Sequence, residues 1–524
     1  MEFTDFTIGQ LLSNKIDNIP DRPALIGKSG VYSWKDIDHI TNLICEQMES
    51  YGIKQGEKVA ILGVNCGSWL VHYLSVVKYG AVAVLLNTRF TKYEIKKCLD
   101  NTEVTHIFYS KDNNKNRYDD MVKELIEICP TLKSSCYMKK DYDKWKKMAQ
   151  AGSTYCYTPT RDPHEIINIL FTSGTTGEPK AVPLSHYNLL NNAIAMAENM
   201  RWTSEDCMCV TVPLFHSFGI TGCILAMLHT GGSLVFVNST RSVDIFEMIQ
   251  AVKPTILSGV PTMFLAMSRN INRPKYDLTS LKSGIIAGSQ IFPQDFYKIC
   301  DAFPNLNLVP AYGQTETSPC VTMCDYDDSV QTKANTVGKP LQDVEIRIIK
   351  NDLFDKCGIN VEGCIQVKGY NVMKGYLHND EQNSQSFSED GWLRTGDLGY
   401  VRDDGYLVIT GRKKNLIIRG GENISPLEIE KTIKEVDPEA NLKVFGVPTL
   451  VLQEEIVACI EGKEDESKRE KIFEYLKEHL SAYKIPKYIF FVEDMPKNST
   501  GKINEKLLKD MIIQNLTTIS RKAL

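Results

Sequence analysis

The sequence predicts an α/β protein in which helices wrap mostly parallel sheets and a smaller α/β domain follows. Short runs of β-branched and other apolar residues recur between stretches with helical periodicity. Several of these runs are apolar throughout, as expected of strands with both faces buried in a parallel sheet. From about Val337 the chain is richer in strands, so a β-rich subdomain is predicted to close the large N-terminal domain.

The predicted strands of the large domain are, in chain order, KVAILGVN, GAVAVLLN, THIFYS, EIINILF, CVTVPLF, GSLVFVN, PTILSGV, SGIIAGS and NLVPAYG. Helical patterns separate them, for example at 187–198 and 243–252. The most apolar long stretch, LVHYLSVVKYGAVAVLLN, is interrupted by His72, Lys78 and Gly80. It therefore predicts a helix packed against the following strand, and no membrane span.

The β-rich subdomain is predicted from EIRIIK, GCIQVKGY and GYLVITGR. After Arg412, Ser425 and Glu428 have the spacing of a capping box, and Pro426 occupies the first helical position. A helix is therefore expected to begin there. VFGVP, EIVACIE, the charged helix SKREKIFEYLKEHL and KYIFFVE then complete a small α/β domain.

Composition excludes several classes of function. Of the 524 residues, 43% are hydrophobic and 24% charged, and the formal net charge of −5 gives no electrostatic reason to expect nucleic acid as a partner. The N-terminus, MEFTDFTIGQ, is acidic and lacks the order of a signal peptide, and the final KAL does not match the SKL peroxisomal signal. We therefore expect a cytoplasmic protein.

The 15 cysteines show no metal-binding pattern. No C-x-x-C occurs, and no histidine flanks the closest pairs at a zinc-like spacing. Buried, reduced thiols in a reducing compartment are expected.

The stretch LFTSGTTGEPK, at 170–180, combines glycines, hydroxyl side chains and one lysine after a predicted strand. Free backbone N–H groups, hydroxyls and an ammonium suit the oxygens of a polyphosphate, although the same composition also suits a surface loop. The Walker pattern is absent because Gly174 and Gly177 are too close together and Lys180 follows Pro179, which disfavours a P-loop NTPase. Open α/β sheets bind ligands at the carboxyl ends of strands, where this loop emerges.

Two further stretches have the same polar character. AYGQTETSP places Tyr312, Thr315 and Glu316 at another strand end, and a glutamate beside a phosphate site suits Mg²⁺, which takes oxygen ligands. The alternative for Glu316 is a carboxylate favoured by a helix dipole. GWLRTGDLGY offers Asp397, which could accept from the vicinal hydroxyls of a ribose or be part of an ordinary turn.

Taken in order, six motifs resemble those of the adenylate-forming enzymes, which include acyl-CoA synthetases, the adenylation domains of peptide synthetases and beetle luciferases. They are TSGTTGEPK, PLFHSFG, AYGQTE, WLRTGD, GRKKNLIIRGGENISPLEIE and PKNSTGKI. The resemblance covers essentially the whole chain and is greatest to fatty-acyl-CoA ligases. It implies an N-terminal domain, 1–413, that binds ATP and an acid, and a mobile C-terminal domain, 414–524, that carries the catalytic lysine.

The resemblance also implies the residues that bind ATP. Those expected to cradle its β- and γ-phosphates are Thr172, Ser173, Gly174, Thr175, Thr176, Gly177 and Lys180. Those expected around the nucleoside and the α-phosphate are Gly288, Ser289 and Tyr312 at the adenine, Thr315 at the α-phosphate, Asp397 at the ribose hydroxyls and Arg412 at the ribose or phosphate.

The remaining implied roles concern catalysis and motion. Glu316 is expected to serve Mg²⁺ and His216 to flank the carboxylate of the acid. Lys502 would be the lysine of adenylation, Lys414 the hinge, and Gly421 would lie beside the tunnel for the thiol.

The implied reaction joins a carboxylic acid to ATP, giving acyl-AMP and pyrophosphate, after which CoA gives the thioester and AMP. The expected acid pocket, at 216–219, 258–264 and 286–291, is mainly apolar or small and has no obvious aspartate for an amino group. A medium- or long-chain fatty acid is the first expectation and an aryl acid the second. A carrier-protein thiol as acceptor, a luciferase-like oxidation and a catalytically inactive nucleotide-binding regulator are the alternatives.

Overall fold

The chain divides into two compact units. The structure is a computed structural model, and it describes residues 3–27, 30–110, 118–138, 147, 162–173, 179–239, 241–350, 356–412, 416–438, 440–449, 451–496 and 503–522. The first unit contains Met1–Thr88, Cys98–Thr172 and Ala181–Lys413. The second contains Lys414–Leu524 together with two short segments from the earlier part of the chain, Arg89–Lys97 and Ser173–Lys180. No sequence pattern predicted that these two segments belong to the second unit.

The first unit is built around two mostly parallel sheets. The strands of one sheet are β1 (Pro23–Gly27), β2 (Gly30–Ser33), β9 (Cys207–Val210), β10 (Ser233–Phe236), β11 (Ile256–Ser258), β12 (Ser283–Ile286), β13 (Asn307–Gly313), β14 (Cys320–Met323) and β15 (Lys339–Pro340). Their order is β15-β14-β13-β12-β11-β9-β10-β1-β2. The pairs between β13 and β1 are parallel and the edge pairs antiparallel, so the carboxyl ends of the central strands share one edge.

The strands of the other sheet are β3 (Lys58–Leu62), β4 (Val82–Leu85), β5 (His106–Tyr109), β6 (Ser134–Tyr137), β7 (Ile166–Ser173) and β8 (Pro179–Ser185). Their order is β6-β5-β3-β4-β7-β8, and the pairs from β6 to β7 are parallel. β3 and β4 are buried along nearly their whole length, as their unbroken apolar sequences predict. The parallel α/β architecture expected from the sequence is confirmed.

The predicted β-rich subdomain is an antiparallel sheet in the order β16-β17-β18-β19. Its strands are β16 (Val344–Ile349), β17 (Gly363–Gly369), β18 (Leu393–Val401) and β19 (Leu407–Arg412). Asp397 of β18 lies directly opposite Arg412 of β19 in the register of this sheet. The cross-strand pair thus brings together two residues that the sequence separates by a loop.

The helices of the first unit pack on its sheets. They are α1 (Ile8–Asn18), α2 (Trp34–Ser50), α3 (Gly67–Tyr79), α4 (Lys92–Thr102, whose first turns belong to the second unit), α5 (Tyr118–Ile128), α6 (His186–Asn199), α7 (Ala226–Thr230), α8 (Ser242–Val252), α9 (Pro261–Ser268), α10 (Pro293–Ala302), α11 (Val330–Asn335) and α12 (Asp380–Ser386). The helices predicted at 187–198 and 243–252 correspond to α6 and α8. α3 packs in the core just before β4, as predicted from LVHYLSVVKYGAVAVLLN.

One helical segment has an uncommon geometry that the sequence did not predict. Phe218–Leu225 forms a π-helix, which continues directly into α7. Its residues after Phe218 are all buried. π-helices are rare and occur frequently at functional sites.

The second unit has its own sheet and core. Its strands β20 (Ile417–Arg419), β21 (Glu422–Ile424), β22 (Leu442–Thr449), β23 (Gln453–Glu461) and β24 (Tyr488–Val492) follow the order β21-β20-β23-β22, and β24 pairs with β23. Its helices are α13 (Pro426–Val436), α14 (Glu466–His479) and α15 (Glu505–Lys522). α13 and α14 pack on one group of buried apolar residues and α15 on another, so the sheet is covered by helices.

The start of α13 was predicted correctly, but its capping box was not. Ser425 is the N-cap residue and Pro426 the first helical residue, yet the Ser425 side chain makes no capping hydrogen bond. The Glu428 carboxylate instead accepts a hydrogen bond from Lys484 Nζ at 2.8 Å. A charged partner within reach offers Glu428 a stronger interaction than a backbone N–H, because hydrogen bonds between ionised groups are about twice as strong.

The described cysteines form no disulfide with one another, and most are buried or half-buried as predicted. Burial raises the pKa of Cys209 on β9 and of Cys320 on β14 to about 12 in each case. Within the described ranges, no helix has both the length and the apolar character needed to cross a bilayer.

Candidate active site

Glu316 lies in a short turn at the carboxyl end of β13. The 3₁₀ turn Thr315–Thr317 follows Gln314, whose backbone N–H donates to Thr317 Oγ1 at 3.1 Å. Glu316 is only 8% exposed. The strand-end position predicted for Thr315 and Glu316 is therefore where the structure has them, and a buried carboxylate there requires partners.

The principal partner of Glu316 is Tyr376, which the sequence analysis did not single out. The Tyr376 hydroxyl donates to Glu316 Oε1 at 2.7 Å, and Thr172 Oγ1 lies 3.5 Å from the same oxygen. Burial, followed by the neighbouring Glu316 charge, raises the pKa of Tyr376, so the phenol keeps its proton as a donor. The KGY sequence around Tyr376 contains no signal for this contact, because the two residues are 60 positions apart.

Tyr312, Asp397 and Arg412 meet in a second cluster. The Tyr312 hydroxyl donates to Asp397 Oδ2 at 2.7 Å, and Arg412 Nε lies 2.8 Å from Asp397 Oδ1. Asp397 is 3% exposed, and this burial raises its pKa, while the Arg412 charge and the Tyr312 hydrogen bond act in the opposite direction. Three residues taken from three separate motifs are thus brought into direct contact.

Gly288 and Ser289 lie in the loop after β12, at the same edge of the sheet as Tyr312. The Ser289 Oγ is buried and has no hydrogen-bond partner among the described residues. A buried hydroxyl without a partner is unfavourable unless a ligand or water completes it. Ser289 therefore has the character expected of a ligand-contacting group.

His216 occupies the turn before the π-helix and is half-buried, with its ring against Phe215. Asn65, in the loop after β3, fixes the chain leading to this turn: its Nδ2 donates to Val212 O at 2.7 Å, and Leu214 N donates to its Oδ1 at 3.0 Å. Gly219 follows at a close backbone approach, since a Cβ there would lie 2.3 Å from Pro213 O. The PLFHSFG motif thus forms a tightly constrained turn, and Asn65 is a supporting residue that the sequence analysis missed.

Two of the segments expected to line the acid pocket are adjacent. Gly259 N donates to Ile285 O at 2.9 Å, and Ala287 N donates to Gly259 O at 3.2 Å, so the two segments meet near their first residues. Thr211 Oγ1 lies 3.1 Å from Met263 Sδ. Met263 and Ile291 are partly buried against the same apolar core.

The phosphate loop is described only at its two ends. Thr172 and Ser173 end β7, and Lys180 is a buried residue of β8 that belongs to the second unit. The predicted site residues that lie outside the described part of the chain are Gly174, Thr175, Thr176, Gly177, Lys414 and Lys502.

Gly421 lies in a two-residue turn between β20 and β21. Gly420 and Gly421 have φ values of 60° and 86°, and Arg419 pairs with Glu422 across the turn. Tight hairpins of this kind require positive φ at both central residues. The hairpin alone is a sufficient reason for glycine at 421, independent of a thiol tunnel.

The side chains around Glu316 supply only some of the oxygen ligands that a hard cation needs. Among the described residues, no group of three or more His, Cys, Asp or Glu side chains could hold a metal ion. A single buried carboxylate next to a hydroxyl matches the way Mg²⁺ binds, through one or two protein carboxylates with phosphate oxygens and water completing the shell. The residues present therefore fit a magnesium ion that arrives with a nucleotide.

Comparison with known proteins identifies the family. Residues 12–377 match the AMP-binding enzyme family, and residues 428–502 match the AMP-binding enzyme C-terminal domain. The putative acyl-CoA synthetase YngI of Bacillus subtilis (strain 168) is 32% identical, and the match covers 98% of this chain and 98% of that protein. The mitochondrial medium-chain acyl-CoA ligase ACSF2 of Mus musculus is 30% identical over 97% of this chain and 88% of its own length.

A solved structure gives the same result. The o-succinylbenzoate CoA synthetase MenE of Bacillus subtilis, bound to a product analogue, superposes with a TM-score of 0.83 at 26% identity and covers 97% of this chain and 99% of its own. The predicted fold class and the family resemblance are confirmed. The prediction of ATP and coenzyme A as substrates is supported by related solved structures, which hold ATP or a CoA product analogue. The chain belongs to the AMP-binding enzyme family and is an acyl-CoA synthetase of that family.

Proposed function

We propose that this enzyme converts a medium- or long-chain fatty acid to acyl-AMP and then to acyl-CoA. The observation that carries the proposal is the apolar character of 258–264 and 286–291, two segments that meet at Gly259 and supply the partly buried Met263 and Ile291. These side chains suit an alkyl chain, since each buried methylene contributes about 0.8 kcal/mol. The name of the mouse relative, a medium-chain acyl-CoA ligase, supports the same acid class.

An aryl acid is the second candidate. The similar MenE structure is named for o-succinylbenzoate, an aryl acid, and shares nearly the whole length of this chain. A fatty acid and an aryl acid differ in the shape of pocket that they require, so a panel of acids separates them directly. A carrier-protein thiol in place of CoA is a further alternative for the acceptor.

In the proposed adenylation step, the chain's own residues bind and orient the two anionic substrates. Tyr312, Gly288 and Ser289 would bind the adenine, and Asp397 with Arg412 would bind the ribose. Both Asp397 oxygens already have one partner, but a carboxylate has about four acceptor sites and can take two ribose hydroxyls in addition. Alignment of this kind can supply about 7–11 kcal/mol of the barrier reduction through effective molarity.

Charge compensation would come from the phosphate loop, Lys502 and Glu316. Thr172, Lys180 and the rest of 172–177 would hold the β- and γ-phosphates, Thr315 the α-phosphate, and Lys502 would offset the repulsion between carboxylate and α-phosphate. Glu316 would hold Mg²⁺, which would supply positive charge to the phosphate groups. His216, in its constrained turn, would flank the carboxylate of the acid.

We further propose that residues 414–524 are a mobile domain whose hinge is Lys414, with Gly421 near the path of the thiol. Adenylation requires Lys502 at the α-phosphate, whereas thioester formation requires that a bulky thiol reach the same carbonyl. One fixed arrangement does not satisfy both requirements. A cytoplasmic location stays a prediction, and the ACSF2 relative is named as mitochondrial.

The test is a pyrophosphate-release assay over fatty acids of graded length and a set of benzoic acids, with and without CoA. We expect release with medium or long fatty acids and AMP formation that depends on CoA. Release with aryl acids alone would contradict the fatty-acid proposal. AMP formation that requires a phosphopantetheinylated carrier protein would contradict CoA as the acceptor.

A further inference from the structure

We propose that Tyr376 is a positioning residue for metal binding: its hydroxyl fixes the Glu316 carboxylate so that Oε2 faces the metal–nucleotide complex. This inference rests on the proposed role of Glu316 at Mg²⁺ and adds a residue that none of the sequence motifs contains. Tyr376 acts through Glu316 and is not itself expected to touch the substrate.

The first support is the way in which the turn containing Glu316 is fastened to the segment before Tyr376. Met373 N donates to Glu316 O at 2.9 Å, and Asn371 Nδ2 donates to Thr317 O at 3.1 Å. Ser318 Oγ donates to Asn371 O at 2.8 Å. The backbone of the turn therefore has a fixed position relative to 371–376, and only the side-chain torsions of Glu316 remain to be restrained.

The Tyr376 hydroxyl supplies that restraint. Its bond to Oε1 is 2.7 Å long and connects two side chains that are each 8% exposed, so water does not compete effectively for it. Thr172 Oγ1, at 3.5 Å from the same oxygen, is at the limit of a hydrogen bond. Among the described residues, no donor lies within hydrogen-bond distance of Oε2. One carboxylate oxygen is thus held and the other is left as an acceptor.

The tyrosine is in turn held from its backbone. Tyr376 N donates to Asn383 Oδ1 at 2.6 Å, and Asn383 Nδ2 donates to Tyr376 O at 2.9 Å. Asn383 lies on α12, so the side-chain amide links the tyrosine to a regular element. A ring fixed at both ends, by Asn383 at the backbone and by Glu316 at the hydroxyl, can define the orientation of the carboxylate. Phenylalanine would fill the same space without this orientation.

The experiment measures how strongly Mg²⁺ and nucleotide binding are coupled. The dissociation constant of α,β-methylene-ATP, which the enzyme cannot adenylate, is determined by calorimetry with and without Mg²⁺, and the ratio of the two constants is the coupling factor. We expect Tyr376→Phe to reduce this factor about 10-fold, the lower end of the range for residues that orient metal ligands. The affinity measured without Mg²⁺ should stay within about 2-fold, since Tyr376 does not touch the nucleotide.

Tyr79→Phe is the matched control. Tyr79 lies at the end of α3 and is 6% exposed, and its hydroxyl donates to Ile53 O at 2.8 Å. Tyr79→Phe therefore also removes a buried phenolic hydrogen bond. It should leave the coupling factor unchanged. An equal loss of affinity with and without Mg²⁺ in Tyr376→Phe would mean that the hydroxyl serves folding only, and would overturn the inference.

Glu316→Gln separates this inference from the assignment on which it rests. If Glu316→Gln lowers the coupling factor and Tyr376→Phe lowers it no further in that background, Tyr376 acts through Glu316 as proposed. If Glu316→Gln lowers the factor and Tyr376→Phe alone does not, the positioning role is wrong while the metal assignment stands. If Glu316→Gln leaves the factor unchanged, the metal assignment itself is wrong.

Discussion

The two units bury carboxylates in opposite ways. In the second unit, Lys484 Nζ lies 2.6 Å from Glu94 Oε1 and 2.8 Å from Glu428 Oε1, with the lysine side chain 4% exposed. The other oxygen of Glu94 accepts from Ser481 Oγ at 2.6 Å, and from Thr91 N at 2.7 Å and Thr91 Oγ1 at 3.0 Å. In the first unit, Glu316 has one short hydrogen bond and no neighbouring cation among the described residues.

The difference separates a structural carboxylate from a functional one. A buried charge whose acceptor sites are filled contributes to holding its surroundings together and has little left for a ligand. A buried carboxylate oxygen without a hydrogen-bond donor is available to bind a ligand or a metal ion. Asp397 is intermediate, because Arg412 and Tyr312 use one site on each of its oxygens.

The strongest test of this comparison is Lys484→Met. It leaves Glu94 and Glu428 as two buried carboxylates without a cation, and should destabilise the second unit by about 3–5 kcal/mol. Urea unfolding, monitored by hydrogen exchange of the backbone amides in β22 and β23, measures this loss of stability. Lys477→Met is the control: Lys477 and Glu474 form an exposed pair, so the change should be below about 0.5 kcal/mol. Equal effects of the two variants would mean that the buried cluster is not structural.

A buried group that stays neutral differs from both kinds of carboxylate, and the pH dependence of stability tests it. His72 is buried on α3, and desolvation lowers its pKa from 6.5 to about 4. Because the unfolded chain takes up the proton first, stability should fall as the pH drops from 6.5 and level off near pH 4. The total loss in the free energy of unfolding is about 3 kcal/mol, because a pKa difference of one unit corresponds to about 1.4 kcal/mol. Urea midpoints between pH 7 and 4 should fall less steeply in His72→Gln. An unchanged slope would mean that folding does not lower the pKa of His72.

Asp397→Asn tests the intermediate case. The amide keeps the shape but removes the charge opposite Arg412, which should weaken ATP binding by about 1.5–3 kcal/mol, or about 10- to 160-fold. The apparent KM for ATP in pyrophosphate exchange is the measurement. Asp390→Asn should leave this KM unchanged, because it disrupts an ion pair between Arg347 of β16 and the half-exposed Asp390 in the turn before β18. Comparable increases in both variants would mean that Asp397 acts only by holding the sheet.

The smallest effect is expected from Ser481→Ala. It removes one of three donors to Glu94 Oε2, so the second unit should lose only about 1 kcal/mol, by the same unfolding measurement. The coupling of Mg²⁺ and nucleotide should not change, in contrast to Tyr376→Phe. A change in that coupling would show that filled and open carboxylates are not distinct in function.

The sequence predicted the local features of the fold and missed those that depend on distant residues. Helix α13 begins at Pro426 as predicted, because Pro suits the first helical position. The predicted capping box is not formed, because the Glu428 carboxylate accepts a hydrogen bond from Lys484, 56 positions away. The π-helix at Phe218–Leu225 has no propensity signal, since its apolar residues also suit an α-helix or a buried strand.

The candidate site shows the same division. Glu316 and Tyr312 could be found because each lies in a motif at the end of a strand. Asp397 could be found from its motif, although it lies in the middle of β18 and not in a turn. Tyr376 and Asn65 could not, because their roles depend on contacts with residues 60 and about 150 positions away, which periodicity does not reveal. The pairing of Asp397 with Arg412 required the register of β18 and β19, which neither motif contains.

The buried cysteines have a consequence for the chemistry of an acyl-adenylate. Such a mixed anhydride acylates any thiolate that reaches it, and this protein carries many thiols of its own. With pKa values of about 12, Cys209 and Cys320 are ionised in only about one molecule in 100,000 at pH 7. Packing that serves the core therefore also protects these two thiols against acylation by the activated acyl group.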